Sequence, residues 1–289
     1  MTSVPPEVLY AGREDEVAML LSGGVDSSVA LKLLIDQGRI LPYTSYIFGL
    51  LLIIYMQGTH IHCLLIIIFN MLFCLRNHTL ICLIAFSMIL YLGHKVRAYY
   101  LKIWLEDELQ HLNECPWEED LKYATDTCSH LNVPLEVIPL QKEYFDYVVR
   151  YTIKEAREGR TPNPDVMCNS LIKFGMFYEY VGRFSKKIAT GHYAQLHYKR
   201  DAEGNVLRAV LSPSPDRIKD QSYFLSNLKQ SQLQRCVFPI GHLQKSEVRQ
   251  LAEQFDLPTK HRRDSQGICF LGKLSFDQFI AHYMGEKSG

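Results

Sequence analysis

Three short segments carry side chains whose types and spacing could do chemistry. The first is Leu20-Leu21-Ser22-Gly23-Gly24-Val25-Asp26-Ser27-Ser28, directly after the apolar run Val17-Ala18-Met19. That order predicts a buried strand, a tight glycine turn and a helix over Val29–Gln37 with Ser and Asp at its start. Backbone N–H groups at such a turn form an anion cradle, and glycines let the chain approach a phosphate closely. Hydroxyls of Ser22, Ser27 and Ser28 can add hydrogen bonds. No Gly-Lys-Ser/Thr follows, so this is not the common kinase-type loop. The second segment is Thr161-Pro162-Asn163-Pro164-Asp165-Val166-Met167-Cys168-Asn169. Its prolines predict an extended, rigid loop, and Asp165 and Cys168 stand three apart, so one turn could set both against a substrate. The third is Asp264-Ser265-Gln266-Gly267-Ile268-Cys269-Phe270, which follows the basic run Lys260-His261-Arg262-Arg263. A cysteine beside several cations holds more thiolate at neutral pH. Taken alone, either cysteine could equally be a small buried hydrophobe.

Positioning these segments requires an alternating α/β scaffold. Helical spacing covers 118–131, 142–159, 171–184 and 244–255, the last closed by Leu257-Pro258. Strand signals cover 134–140 and 187–192, and residues 198–210 read as a β-hairpin around Asp201-Ala202-Glu203-Gly204-Asn205. The expected fold is a doubly wound parallel sheet, whose ligands bind at the carboxyl ends of the strands.

One stretch breaks that pattern. Between Ile40 and His94 the only charged side chain is Arg76. Its apolar runs are each shorter than the ~20 residues a membrane-crossing helix needs, though a hairpin of two imperfect spans within residues 47–92 stays open as a membrane contact. Removing residues 39–93 joins a helix, a glycine cap at Gly38 and a strand around His94–Trp104, as a βαβ crossover requires. The expectation is an aberrant apolar insert such as a retained intron.

Bulk composition narrows the class further. Net charge is zero, with 31 Lys+Arg and 31 Asp+Glu in 289 residues. Residues 1–149 hold 9 basic against 17 acidic side chains and residues 150–289 hold 22 against 14, so the halves carry −8 and +8. The basic half suits a polyanion such as RNA. The eight cysteines form no CxxC pair and no zinc-like Cys/His spacing, so neither a metal site nor a disulfide framework is indicated, which fits reduced thiols. No metal-ligating cluster is expected. Glu7, Glu14, Asp15 and Glu16 argue against an acid-poor presequence.

The first segment resembles the SGGxDS loop of the ATP pyrophosphatases. Together with TPNPD-x-x-CN, Ala189-Thr190-Gly191-His192-Tyr193, Lys219-Asp220-Gln221-Ser222-Tyr223-Phe224-Leu225 and DSxGICF, in that order, the chain resembles the tRNA-specific 2-thiouridylases. The resemblance covers residues 17–38 and 94–280. It implies an adenine-nucleotide alpha-hydrolase fold and ATP-dependent 2-thiolation of a tRNA wobble uridine. ATP would adenylate the C2 oxygen, with Mg2+ on the pyrophosphate, and a cysteine persulfide would deliver sulfur. Leu20, Leu21, Ser22, Gly23, Gly24, Val25, Asp26, Ser27, Leu101 and Gly191 would line the ATP site, Leu101 replacing the family's usual Met. Cys269 would carry the persulfide, Cys168 would end in a Cys168–Cys269 disulfide, and Asp165 would be the acid/base. Asn163, Pro164, Asp165, His192, Lys219, Asp220 and Gln221 would contact the tRNA anticodon loop.

The partners implied are tRNA and a sulfur-donor protein, either a desulfurase or a relay carrier. The compartment implied is the mitochondrion or plastid in a eukaryote and the cytoplasm in a bacterium. By the same resemblance, residues 1–38 with 94–273 form the catalytic domain, and 274–289 begin a tRNA-binding central domain. The family continues beyond the point where this chain stops, so weak tRNA binding is expected. Two other readings stay open, a GMP synthetase-like amidotransferase sharing only the phosphate loop and an inactive, membrane-associated splice product.

Overall fold

The computed structural model describes residues 16–40, 96–103, 116–182, 185–203 and 206–264, with 279, 281 and 283. Five strands form a parallel sheet: β1 (Val17–Leu20), β2 (Val96–Lys102), β3 (Leu135–Pro139), β4 (Lys187–Ala189) and β7 (Cys236–Val237), in the order β3-β2-β1-β4-β7. A hairpin of β5 (Ala194–Arg200) and β6 (Val206–Pro213) forms a second sheet. The chain divides into two units, residues 1–33 with 96–289 and residues 34–95. In the second unit, the described residues are the end of helix α1 (Val25–Ile40).

Parallel pairing explains the character of the strands. β1 lies between β2 and β4, with Val17 opposite Val96 and Lys187. A central parallel strand is covered on both faces, so it is a continuous apolar run rather than an alternating one, and all four residues of β1 are buried. The chain steps from β1 outward to β2 and β3, then returns to place β4 on the other side of β1. That reversal is a topological switch point at the carboxyl ends of β1 and β4, the place where open α/β sheets bind ligands.

Four local expectations shift. Helix α1 begins at Val25, not Val29, because the Ser27 and Ser28 hydroxyls donate to the Gly24 carbonyl (3.1 and 2.9 Å) and tie its first turn to the loop. It also continues through Gly38 to Ile40; a glycine inside a helix costs about 1 kcal/mol but does not end it. The second chemical segment is extended only to Asn163. Pro164 opens helix α5 (Pro164–Met167), since its fixed φ suits a first helical position and its missing N–H is no loss there. The hairpin starts at Ala194, four residues early, because Ala194 pairs with Pro213 and Gln195 with Ser212.

The remaining helices are α2 (Pro116–Leu131), α3 (Gln141–Tyr144), α4 (Arg150–Arg157), α6 (Gln230–Leu233) and α7 (Lys245–Gln254). All but the short α6, which was not anticipated, follow the expected apolar spacing. A π-helical turn, Phe145–Val149, joins α3 to α4; of the apolar residues spaced along one side of this stretch, Val148, Val149 and Ile153 are buried and Phe145 and Ala156 partly so. None of the described helices is long and apolar enough to cross a membrane; residues 47–92 lie outside the described residues.

Candidate active site

The β1–α1 loop is built by its own hydroxyls and by glycine geometry. Leu21 N–H donates to Tyr99 O (2.9 Å), carrying the sheet ladder one residue past β1. Ser22 N–H then donates to Ser27 Oγ (3.2 Å), and the Ser22 and Ser27 hydroxyls lie 3.1 Å apart. Gly23 has φ +76°, and a Cβ there would stand 2.2 Å from the Asp120 carbonyl oxygen, so both backbone and space demand glycine. At Gly24 a Cβ would meet only Ser22 Oγ, at 3.5 Å, which leaves the loop open to an approaching group. The first turn of α1 has N–H groups with no intrahelical carbonyl and carries the positive end of the helix dipole. Leu20, Leu21 and Val25 are buried, so their side chains serve the core and only their backbone is available to a phosphate. Ser22 is exposed.

Asp26 would oppose an anion at this helix end, but it is neutralised. Its Oδ1 accepts from Lys245 Nζ (2.7 Å) and Tyr193 OH (2.8 Å). On the neighbouring strand, Gly191 follows β4. A Cβ on Gly191 would lie 2.8 Å from Ser27 N and 2.9 Å from Asp26 C, so strand and helix meet only because the side chain is missing. Leu101 sits near the carboxyl end of β2, partly buried against the core. The residues expected to hold a nucleotide are therefore gathered at the switch point, and the loop's donors and glycines suit a polyphosphate.

The helix bearing Asp165 and Cys168 is capped by Asn163, whose Oδ1 accepts from Val166 N–H (3.1 Å). Residues three apart on a helix are neighbours on one face. Asp165 is partly exposed, while Cys168 is 1% exposed and opens the π-helical stretch Cys168–Met176. A π register releases carbonyls from their usual partners. Here Gln232 Nε2 donates to Ser170 O and Phe174 O, both at 2.9 Å. Asn163 Nδ2 donates to Tyr223 OH (3.3 Å) and Asn169 Nδ2 to Phe224 O (3.1 Å). Cys269 lies outside the described residues.

The other residues expected at the tRNA are engaged internally. His192 stands between Phe174 and Phe238, with ring centroids 6.3 and 5.9 Å away, and its Nδ1 is 2.7 Å from Thr190 Oγ1. Part of the residue's surface reaches solvent, yet the imidazole itself is enclosed. Burial, with a smaller repulsion from Lys173, pushes its pKa down to about 3, so the ring is neutral near pH 7. Asp220 accepts from Ser214 N–H (3.0 Å) and from Ser222 Oγ (2.8 Å), fixing a turn. Gln221 is bonded to both the N–H and the carbonyl of Tyr193. Lys219 Nζ reaches Asp264 Oδ2 at 2.8 Å.

Asp264, the first residue of DSxGICF, is a hub that sequence spacing does not reveal. It receives Lys219, Lys245 (2.9 Å) and Arg249. Burial alone would raise its pKa, but hydrogen bonds from the Lys219 and Lys245 ammoniums outweigh that and hold the carboxyl well below the usual range. Lys245 therefore bridges Asp26, in the first turn of α1, to Asp264. Two residues earlier, Arg262 Nη1 donates to Gly23 O (2.7 Å), and its other nitrogen pairs with Asp120. Burial raises the Asp120 pKa, against the opposing pull of that guanidinium. The signals available in the sequence were the basic run 260–263 and the lysine opening the 244–255 helix; neither names its partner. Among the described residues no cluster of His, Cys, Asp and Glu could hold a metal.

The order of the strands and the glycine loop at their switch point define an α/β nucleotide domain of the adenine nucleotide alpha-hydrolase type. A family model described as the tRNA methyl transferase HUP domain matches residues 83–273, and the chain belongs to that family, which includes the tRNA-specific 2-thiouridylases. It is similar to the tRNA-specific 2-thiouridylase MnmA of Porphyromonas gingivalis, 45% identical over 197 residues, 68% of this chain and 53% of the relative. It is 44% identical over 197 residues to the protein of that name from Parabacteroides distasonis, again 68% and 53% of the two chains. The tRNA-specific 2-thiouridylase MnmA 2 of Bacteroides fragilis is 36% identical over 277 residues, 95% of this chain and 60% of the relative. The chain spans about half the length of the curated relatives it matches.

Proposed function

We propose that this chain carries out ATP-dependent 2-thiolation of a tRNA wobble uridine. The observation that carries this reading is Lys245, whose single ammonium lies 2.7 Å from Asp26 and 2.9 Å from Asp264. This contact ties the first turn of α1 to Asp264, which precedes the Cys269 segment in the sequence and so supports a reading in which that segment serves the nucleotide site. Ser22, Gly23, Gly24, Asp26 and Ser27 hold the phosphates, with Mg2+ accompanying the pyrophosphate, and Leu101 and Gly191 border the rest of ATP.

The reaction balances as two displacements and a release. The C2 oxygen of uridine attacks the α-phosphorus and pyrophosphate leaves. A persulfide on Cys269 attacks C2 with its outer sulfur, the C2–O bond breaks and AMP departs. The Cys168 thiolate then attacks the inner sulfur of Cys269; that S–S bond breaks, the thiocarbonyl stays on the base, and a Cys168–Cys269 disulfide forms. A dithiol reductant resets the pair, and a desulfurase or relay carrier reloads the sulfur. Adenylation is needed because a urea-like carbonyl is a poor electrophile. Persulfide sulfur suits the attack because it is more acidic and more nucleophilic than a thiol. Asp165, one turn from Cys168, handles the proton. Asn163, Pro164, His192 and the Lys219–Gln221 turn shape the surface that the anticodon loop meets.

We further propose that residues 39–93 are an insert, with 1–38 and 94–273 as the catalytic domain and 274–289 as the start of a tRNA-binding domain. The match to the family model begins at residue 83, ten residues inside the insert's expected end, and comparing transcript with genomic sequence tests the boundary. The compartment follows the source, cytoplasm for a bacterium and organelle for a eukaryote. The reaction is tested by pyrophosphate release with an anticodon stem-loop RNA. Release should require RNA and persist when Cys168 and Cys269 are both Ala, since adenylation precedes sulfur chemistry. Equal release without RNA, or with GMP precursors instead, would support the amidotransferase-like reading.

A further inference from the structure

An aromatic ring stands on the surface beside the helix of Asp165 and Cys168, and the proposed chemistry does not use it. Tyr223 is 63% exposed, although a tyrosine on a packed turn ordinarily covers part of its ring. It opens a 3-10 turn, Tyr223–Leu225, anchored by Leu225 at 1% exposure. The turn is closed by Phe224 N–H to Gln221 O and Leu225 N–H to Ser222 O, each at 3.1 Å. The ring is oriented edge-to-face by Phe224, with centroids 5.5 Å apart. Two side-chain bonds tie the turn to the helix bearing Asp165 and Cys168, Asn163 to the Tyr223 hydroxyl at 3.3 Å and Asn169 to the Phe224 carbonyl at 3.1 Å. Arg217 and Ile218 in the preceding turn are exposed, Ile218 at 93%.

We propose that Tyr223 is a stacking platform for the nucleotide next to the target uridine. This rests on the thiolation reading above. An exposed aromatic face on a rigid turn is how proteins hold single-stranded bases, and each stack is sequence-tolerant. Holding the neighbour while the uridine turns toward Asp165 and Cys168 also offsets the unstacking that extrusion costs. The Asn163 bond sets the ring's place relative to the site, and the face does the binding.

The test uses the full chain and an anticodon stem-loop RNA with 2-aminopurine at either neighbour of the wobble uridine. Tyr223→Ala should weaken binding about 5- to 100-fold and abolish the fluorescence quenching of bound 2-aminopurine. Tyr223→Phe should bind within about 2-fold of the parent and still quench, because the ring face remains. The slope of log K against log salt should be the same for all three, since no phosphate contact is lost. Three results would overturn the proposal: unchanged binding by Tyr223→Ala, an equal loss in Tyr223→Phe, or no quenching by the parent. If the parent binds no RNA at all, the thiolation reading falls with it; if it binds and only Tyr223→Ala is unaltered, the platform alone falls.

Discussion

Gly191 joins β4 to the start of α1 with no room for a side chain, and replacing it with Ala tests that junction. The added Cβ would sit 2.8 Å from Ser27 N, 2.9 Å from Asp26 C and 2.9 Å from Ser27 Cα. Ordinary contact begins near 3.4 Å, so the shortfall at Ser27 N is about 0.6 Å. All three atoms are backbone, and none swings aside as a side-chain tip would. Overpacking of this kind costs about 1–3 kcal/mol, which at about 2–4 °C per kcal/mol lowers the melting temperature by about 4–8 °C for a middle value. Moving the helix start by the same distance stretches a bond of about 2.9 Å past the useful range. Loss of one charge-assisted bond to a phosphate, about 1.5–3 kcal/mol, then weakens ATP binding roughly tenfold or more. Gly24→Ala is the control, because its Cβ makes ordinary contact at 3.5 Å with Ser22 Oγ. It should keep its melting temperature within about 2 °C of the parent, yet bind ATP poorly because its methyl occupies the loop. Thermal melts and ATP titration read both effects. A Gly191→Ala protein that melts and binds like the parent would refute the close-approach argument.

Two more perturbations follow from the charges. Lys245→Met leaves the Asp26 and Asp264 carboxylates without the ammonium between them; Lys219 and Arg249 still serve Asp264, so the expected loss is about 2 kcal/mol, seen as a lower urea midpoint at pH 7, with weaker ATP binding beside it. His192 is held neutral in the fold with a pKa near 3, whereas the unfolded chain takes up a proton near pH 6.5. Because the unfolded state binds more protons between those values, stability falls as pH drops below about 6.5, by up to about 1.4 kcal/mol per pH unit. Urea unfolding at pH 7.5 and pH 5.5 should show this slope, and His192→Gln should flatten it; an equal slope in both proteins would sink the assignment.

Four of the five sheet strands were legible because buried parallel strands are continuous apolar runs, whereas the two-residue β7 was not anticipated. Val17–Leu20 and Leu135–Pro139 fall where apolar runs predicted them. The glycine loop was legible because its inner hydrogen bonds, Ser22 N–H to Ser27 Oγ and the Ser27 and Ser28 hydroxyls to Gly24 O, join residues within a few positions of one another. What stayed hidden was long-range or depended on competing local rules. Two prolines predicted an extended loop, but a proline also opens helices, and Asn163 caps a helix that starts at Pro164. The Lys219-Asp220-Gln221 run was expected to face RNA, whereas Asp220 and Gln221 spend their bonds on turn backbone and Lys219 on Asp264. Lys245 is 219 residues from Asp26, a pairing set only when α7 docks at the carboxyl end of the sheet. Pairings at such separation carry no periodic signal. His192 shows the same limit, because its neutrality comes from Phe174 and Phe238 on other elements.

The most direct measurement is mass spectrometry of nucleosides from an anticodon stem-loop RNA incubated with this chain, ATP, Mg2+ and a persulfide donor. 2-Thiouridine should form only when ATP is present and should be absent with Cys168→Ala. Thiolation that proceeds without ATP, or that survives loss of Cys168, would contradict the proposed function.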